Sequence, residues 1–307
     1  MDRIAFGSCA KQWEPQPICD SVVAAEPDLF LFIGDAIYGD CHGEKPFTPT
    51  AESLRADWNR LGAQPAFQAL RRRMPVLATW DNHDYGSHNG GVEFPLKEMA
   101  RTEFLDFFGE PRESERRRSP GIHTARILGS EGRRVQIILM DTKWFRSDFE
   151  KDQHMAEDRK AIGKVGKYVA NEAPCATVLG EAQWAWLADQ LREPAEIRLI
   201  VLSTQIVADQ KGMDEWGVFP SERKRLFRLI RDTGTKGVLL LSGNVHFAEL
   251  SVWNDGSYPL YDLTTSGRPM LIRPMPPPRT ATASPAPSSS TTSACWKSTG
   301  RRSPGRC

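Results

Sequence analysis

The sequence predicts an α/β fold in which buried strands alternate with helices and polar loops follow the strands. Three observations support this class: short apolar runs, helical patterns between them, and polar clusters where the runs end. The runs lie at residues 4–6, 29–33, 75–80, 135–140, 197–203 and 237–242, and each is followed directly by Gly, Asp or Thr. Continuous apolar runs of this length are typical of strands that are buried on both faces.

Helices are predicted between several of these strands, because apolar residues recur there at the three- to four-residue period of one helix face. The predicted helices span residues 17–25, 54–72, 94–108, 181–191 and 220–232. The aromatic-rich face of the third helix is interpreted as core packing in preference to a binding surface. Strands and helices in this order, with long connections, indicate an α/β domain.

Composition excludes several classes of protein. With 307 residues and 40% apolar side chains, the chain can build a large core. Its 40 basic and 39 acidic residues give a net charge of +1, so no global field favours nucleic acid. The sequence predicts no membrane span and no signal peptide, so the chain as it stands would be cytoplasmic, while its location is left open. Six cysteines without CxxC spacing indicate reduced thiols. Separately, a monomer is expected.

The composition changes after Gly267, which divides the chain into a domain at residues 1–267 and a tail at residues 268–307. The tail holds eight Pro, twelve Ser or Thr, seven basic residues and no acidic residue. This composition predicts disorder. The abrupt change favours an out-of-frame reading of a GC-rich gene over a linker or a basic interaction tail.

Four polar clusters carry the chemistry, and each directly follows an apolar run. They are Gly7-Ser8-Cys9, Gly34-Asp35-Ala36-Ile37-Tyr38, Trp80-Asp81-Asn82-His83-Asp84 and Ser242-Gly243-Asn244-Val245-His246. A single polar residue at a strand end is usually a turn or cap residue. Four clusters at strand ends instead predict one site, because ligands of open α/β sheets bind outside the carboxyl ends of the strands.

The residue types in these clusters favour metal ions. Carboxylate and amide oxygens suit hard cations, imidazole suits transition metals, and a thiolate with a phenolate favours trivalent iron. Asp35 has two oxygens and can bridge two ions. Two such ions would hold a phosphate and convert a water molecule to hydroxide for attack.

The GDxxY, WDNHD and SGNVH segments resemble those of the alkaline phosphatase D (PhoD-like) family, a branch of the calcineurin-like metallophosphoesterases. Further similar segments lie at residues 139–142, 145–147, 179–187 and 203–205, so the resemblance runs from about residue 4 to residue 267. It implies a four-layer αββα sandwich of two mixed β-sheets. It also implies hydrolysis of phosphate mono- or diesters and a binuclear-type site with Fe3+ and Ca2+.

The resemblance also implies roles for individual residues. The implied metal ligands are Cys9, Asp35, Tyr38, Asn82, Asn244 and His246. His83 would bind the phosphate or protonate the leaving oxygen, and Asp84 would orient His83. His88 is a further candidate for the substrate pocket. The partner would be a small phosphoester, and relatives are often periplasmic or secreted.

Two departures from the family pattern leave alternatives open. Asn82 and Asn244 stand where many relatives carry Asp, which lowers the negative charge of the site, and the family's domain normally continues with strands beyond Gly267. A catalytically impaired metal-binding protein of the same fold is therefore the alternative function. A third hypothesis, an interaction protein that uses its basic tail, has no other support in the sequence.

Overall fold

Two β-sheets stacked face to face form the centre of the protein, and helices cover both outer faces. The computed structural model describes residues 2–42, 45–161 and 163–267, and the backbone of residues 293–296. The strands are β1 Ile4–Gly7, β2 Leu29–Ile33, β3 Cys41–His42, β4 Lys45–Pro46, β5 Val76–Thr79, β6 Thr124–Leu128, β7 Val135–Leu139, β8 Glu150–Lys151, β9 Tyr168–Val169, β10 Ile197–Val201, β11 Val238–Ser242, β12 Ala248–Trp253, β13 Leu260–Thr264 and β14 Ser293–Trp296. The helices are α1 Ile18–Ala24, α2 Ala51–Gly62, α3 Pro65–Arg73, α4 Asn82–Tyr85, α5 Lys97–Phe107, α6 Glu115–Arg118, α7 Ala156–Ala161, α8 Gly180–Arg192 and α9 Pro220–Asp232, with a 3-10 turn at Trp216–Val218.

The two stacked sheets, a small one of three strands and a large one of seven, differ in strand direction. The small sheet has the order β1-β2-β5, and both of its strand pairs are parallel. The large sheet has the order β14-β12-β13-β11-β10-β7-β6, with four parallel neighbours at its centre and antiparallel strands at both edges. The prediction of two mixed sheets is thus right for the large sheet only. Helices cross between the strands of the small sheet, so each strand returns in the same direction.

Strand β2 shows how the layers pack. Phe30 and Phe32 face the helices, while Leu29, Leu31 and Ile33 face the large sheet. Successive residues of a strand point to opposite faces of the sheet. Because both faces of β2 are covered, all five side chains are buried. Burying each one contributes roughly 1.5–3 kcal/mol. The unbroken apolar run in the sequence therefore reflects a strand between two apolar layers.

The predicted four-layer αββα sandwich is confirmed. Helices α1, α2, α3 and α5 pack on the outer face of the small sheet, and α8 and α9 pack on the outer face of the large one. A single helix at 54–72 was expected, but the structure has two, because Pro65 lacks the backbone N–H that would continue the first. The aromatic face of α5 lies in the core, as expected.

The predicted tail falls largely outside the described residues. Within it, Ser293–Trp296 forms an edge strand antiparallel to β12, while the disorder and reading-frame hypotheses concern residues that the structure does not describe. Cys9, Cys19, Cys41 and Cys175 are free thiols. In the part of the chain that is described, no helix is long and apolar enough to span a bilayer.

Candidate metal centre

The candidate site lies where parallel strands of both sheets end. The loops after β1, β2 and β5 come from the small sheet, and the loops after β7, β10, β11 and β13 come from the large one. Hydrogen bonds join the two sets: Thr79 Oγ1 donates to the carbonyl oxygen of Met140 at 2.6 Å, and Ser8 Oγ donates to that of Thr265 at 2.9 Å. The site therefore spans the interface between the sheets.

One group of side chains brings together a thiol, a carboxylate and an imidazole. Cys9 Sγ lies 3.3 Å from Asp35 Oδ2, and the ligand atoms of Cys9, Asp35 and His246 all lie within 4.8 Å of one another. Tyr38 Oη lies 3.0 Å from His246 Nε2. Ser266 Oγ is 3.0 Å from the thiol. These atoms offer the mixed sulfur, oxygen and nitrogen donors expected of a transition-metal site.

The backbone at this group adopts an uncommon conformation. Of the seven non-glycine residues with positive φ in the described part of the chain, four are predicted metal ligands: Cys9 (60°), Asp35 (52°), Asn244 (68°) and His246 (59°). Such residues are strained by about 1–3 kcal/mol and cluster at functional sites. The strain indicates that the surrounding fold holds these side chains in place.

Two glycines let the loops approach. Gly34 has φ of +103°, and a Cβ there would lie 2.7 Å from Asp81 Cβ. A Cβ on Gly243 would lie 2.6 Å from Ser8 Oγ. Since real Cβ contacts are longer, glycine permits the loop after β2 to approach the loop after β5, and the loop after β11 to approach the loop after β1.

A second group surrounds His83. His83 Nδ1 lies 2.6 Å from Asp40 Oδ1, and the ligand atoms of Asp40, His83 and His88 lie within 4.8 Å of one another. The Tyr38 ring stacks on the His83 ring with 4.1 Å between the ring centroids, and this contact links the two groups. Asn82 Nδ2 lies 3.4 Å from His88 Nδ1, while its buried Oδ1 has no hydrogen-bond partner among the described residues. A buried oxygen without a hydrogen-bond partner is well suited to act as a ligand of a cation.

Asp40 has the role that was expected of Asp84. Both oxygens of Asp84 accept backbone N–H groups, from Ile37 at 2.9 Å and from Asp81 at 2.9 Å, so this carboxylate fixes two loops instead of orienting His83. The expectation for Asp84 is therefore corrected. Burial alone would lower the pKa of His83, but the charges of Asp35 and Asp40 outweigh it and raise this pKa to about 9. Without bound ions, these two charges favour the protonated form of the His83 ring, which can donate a proton.

Asn244 contacts the long connection between β10 and α9. Its Nδ2 donates to the carbonyl oxygen of Asp214 at 3.4 Å. Lys143, fully buried, lies between Asp214 (2.5 Å) and Asp81 (2.6 Å). Burial opposes the charge of Lys143, but the two aspartates raise its pKa above the ordinary value. This ion pair fixes the loops beside Asn244 and Asn82.

Burial also raises the pKa of the Cys9 thiol well above its ordinary value, and the Asp35 charge adds to this. The pKa of Tyr38 is raised for the same two reasons. Both groups are therefore protonated in the metal-free protein. Metal binding would release these protons, since the ionised forms are the ligands.

Several residues of the site were not predicted. They are Asp40, Asp81 and Ser266, together with the ion-paired Lys143 and Asp214. Asp40 follows Tyr38 by two residues and belongs to the same loop, so its position in the sequence was the available signal. Lys143 follows the noted segment at 139–142. Asp214 has no comparable signal, because it lies in the long connection between β10 and α9.

The layered fold and the clustered donors define the chain as an α/β-sandwich protein with a candidate metal centre. The chain belongs to the PhoD-like phosphatase family, whose sequence model matches residues 4–259. This membership implies metal dependence, and it agrees with the donors that the structure brings together.

Individual relatives show how far the similarity extends. Alkaline phosphatase D of Bacillus subtilis (strain 168) is 23% identical over 278 residues, which cover 79% of this chain and 45% of the relative. The solved structure of PhoD superposes with a TM-score of 0.66 at 19% identity, over 86% of this chain and 56% of that one. A Plasmodium protein, GAP50, described as the anchor in the inner membrane complex, gives 0.45 at 13% identity over 86% and 71%. The chain thus spans about half the length of the PhoD relatives it matches.

Proposed function

We propose that the protein hydrolyses phosphate mono- or diesters at the candidate metal centre. The observation that carries the proposal is the position of Asp35. One of its oxygens lies 3.3 Å from Cys9 Sγ, and the other accepts the backbone N–H of His83 at 3.2 Å. This carboxylate therefore joins the thiol group to the histidine group, as a residue that bridges two ions would.

The donors fit metal ions. Cys9, Asp35, Tyr38 and His246 would hold an ion of the Fe3+ type, and Asp35 with the unpartnered Oδ1 of Asn82 would hold a harder ion such as Ca2+. Asn244 is a further oxygen donor on the adjacent loop. Bound ions would supply an activated water nucleophile and neutralise charge on the phosphoryl oxygens. The chain's own contribution is to fix these donors in a strained backbone.

His83 would act on the substrate. Its ring faces Tyr38, and its Nδ1 is held by Asp40, which leaves Nε2 to bind a phosphoryl oxygen or to protonate the leaving oxygen. The Asp40 carboxylate beside Nδ1 favours the protonated ring, and that form suits either task. His88, whose ring lies 5.5 Å from that of His83, would border the same phosphate.

An Asp35→Asn variant tests the proposal, because it retains an oxygen acceptor but removes the bridging charge. We expect loss of the bound ions by elemental analysis and a decrease of at least about 100-fold in hydrolysis of p-nitrophenyl phosphate and bis-p-nitrophenyl phosphate. Asp255→Asn, at an exposed position, serves as the control. Wild-type turnover in the Asp35 variant would contradict the proposal.

The alternative is a metal-binding protein with impaired catalysis, which the neutral side chains of Asn82 and Asn244 favour. Each of these two side chains offers an amide oxygen that could ligate a cation, but neither adds negative charge. If the wild-type protein retains ions and hydrolyses neither ester, the alternative is correct. Retained ions with turnover support the proposed enzyme.

A further inference from the structure

A cavity of about 730 Å³ opens beside the candidate metal centre, bordered on one side by Cys9, Tyr38 and His246. Pockets of roughly 300–1,000 Å³ hold small organic molecules. The cavity is therefore much larger than a transferred phosphate requires. Its position indicates room for the organic part of a phosphoester whose phosphate lies at the metal centre.

The loop at residues 10–17 forms a further part of the cavity wall, and a buried side chain fixes this loop. Gln16 Nε2 donates to the carbonyl oxygens of Ala10, Lys11 (3.1 Å) and Glu14 (3.0 Å). Lys11 has φ of +46°, and Cys9, two residues earlier, has φ of +60°. The loop that carries Lys11 is thus continuous with the strained turn that holds Cys9, and it is shaped before any ligand enters.

Lys11 and Glu14 are the charged residues that line this cavity. Lys11 Nζ lies 3.7 Å from Glu14 Oε1, and the two side chains are 41% and 54% exposed. An exposed ion pair of this kind is worth little and is exchanged readily for another partner. Lys11 lies two residues after Cys9 in sequence, and it lines the same cavity as Cys9, Tyr38 and His246.

We propose that this cavity binds the organic part of the substrate and that Lys11 pairs with an anionic group carried on it. The inference rests on the proposed phosphoesterase function and adds a substrate class. The preferred substrates are phosphoesters with a second negative group, such as a carboxylate or a further phosphate. Lys11 then determines specificity, and it takes no part in the reaction at phosphorus.

A comparison of three substrates tests this assignment: phenyl phosphate, 4-carboxyphenyl phosphate and 4-(trimethylammonio)phenyl phosphate. Phosphate release is measured for the metal-loaded wild-type protein and for Lys11→Gln, and the ratio of KM values is taken for each substrate. We expect Lys11→Gln to raise KM for the carboxylate substrate about fivefold more than KM for phenyl phosphate. Glu14→Gln is expected to lower KM for the carboxylate substrate and to raise it for the cationic one.

Lys160→Gln, an exposed lysine on α7, is the matched control and should change none of these values. Equal KM ratios for all three substrates in the Lys11 variant would overturn this inference while leaving the proposed function intact. Absence of turnover with every substrate in the wild-type protein would contradict the proposed function, and this inference with it.

Discussion

Asp40 is the residue on which the proposed role of His83 depends. Its Oδ1 holds His83 Nδ1 at 2.6 Å, and its charge is among the causes that raise the pKa of His83 to about 9. A carboxylate on the far nitrogen fixes both the tautomer and the orientation of an imidazole. Asp40 is therefore a positioning residue.

An Asp40→Asn variant should lower kcat for phosphate esters by about 10- to 100-fold. Without the negative charge, the pKa of His83 falls, so the activity attributed to protonated His83 should be lost at a lower pH than in the wild-type protein. The measurement is a pH profile of kcat, with Asp255→Asn as the control. A uniform decrease with an unchanged profile would show that Asp40 has only a structural role.

The outcome at Asp84 shows where sequence reasoning stops at this scale. The WDNHD segment correctly directed attention to a polar cluster after a strand. His83 and Asp84 are adjacent on the short helix α4, however, and adjacent helical residues do not face each other. The partner of His83 came instead from the loop after β2, and only tertiary structure defines that contact.

At the scale of the element, the turn between β2 and Asp35 depends on Gly34. Its φ of +103° favours glycine, and a Cβ would also contact Asp81 Cβ at 2.7 Å. Conformational strain and steric overlap act at the same position. They can be separated, because Gly234 also has positive φ (+64°), but a Cβ there would meet no atom of the described residues within 4 Å.

We expect Gly34→Ala to lower the free energy of unfolding by about 3 kcal/mol or more, and Gly234→Ala by about 1 kcal/mol, since the second variant carries strain alone. Urea denaturation measures both values. The Gly34 variant should also bind metal more weakly, because Asp35 directly follows the displaced residue. Equal destabilisation of the two variants would contradict the steric part of the argument.

Element boundaries were predictable where the apolar pattern was strong. Strand β2 and helix α9 begin and end where the pattern predicts, at Leu29–Ile33 and Pro220–Asp232. Strand β12 was not predicted, because its residues alternate between buried and partly exposed positions and interrupt the apolar run. Edge and near-edge strands carry a weaker signal than strands that are buried on both faces.

At the scale of the whole molecule, a buried carboxylate makes stability depend on pH. Glu215 is 2% exposed; its Oε1 accepts the N–H of Gly212 at 2.8 Å, and its Oε2 has no hydrogen-bond partner in the described part of the chain. Burial raises the pKa of Glu215 from 4.5 to about 7. The folded protein therefore holds a proton between these pH values that the unfolded chain has lost.

Since the folded state binds more protons there, the free energy of unfolding decreases as pH rises from about 4.5 to 7, by up to about 3 kcal/mol from this group. Glu215→Gln should remove this decrease. The free energy of unfolding of the variant minus that of the wild-type protein should therefore be larger at pH 8 than at pH 5. Urea denaturation at several pH values measures the difference. Glu172→Gln, at an exposed position, is the control, and parallel curves for the Glu215 variant and the wild-type protein would refute the assignment.

The layered architecture was predictable because its two causes are visible in the sequence: buried strands and amphipathic helices. The sequence resemblance added the number of layers. The direction of strands in the small sheet and the ion pair of Lys143 depend on how distant segments meet. Neither the monomer prediction nor the predicted location is tested by the fold, and both stay predictions.

The candidate ligands come from two sheets, and no disulfide joins these sheets among the described residues. Cys9, Asp35 and Asn82 follow strands of one sheet, and Asn244 and His246 follow a strand of the other. An ion held by both sets would oppose separation of the sandwich halves, and its contribution would grow with the logarithm of its free concentration. The stability of the folded chain would then vary with the concentration of free metal ions around it.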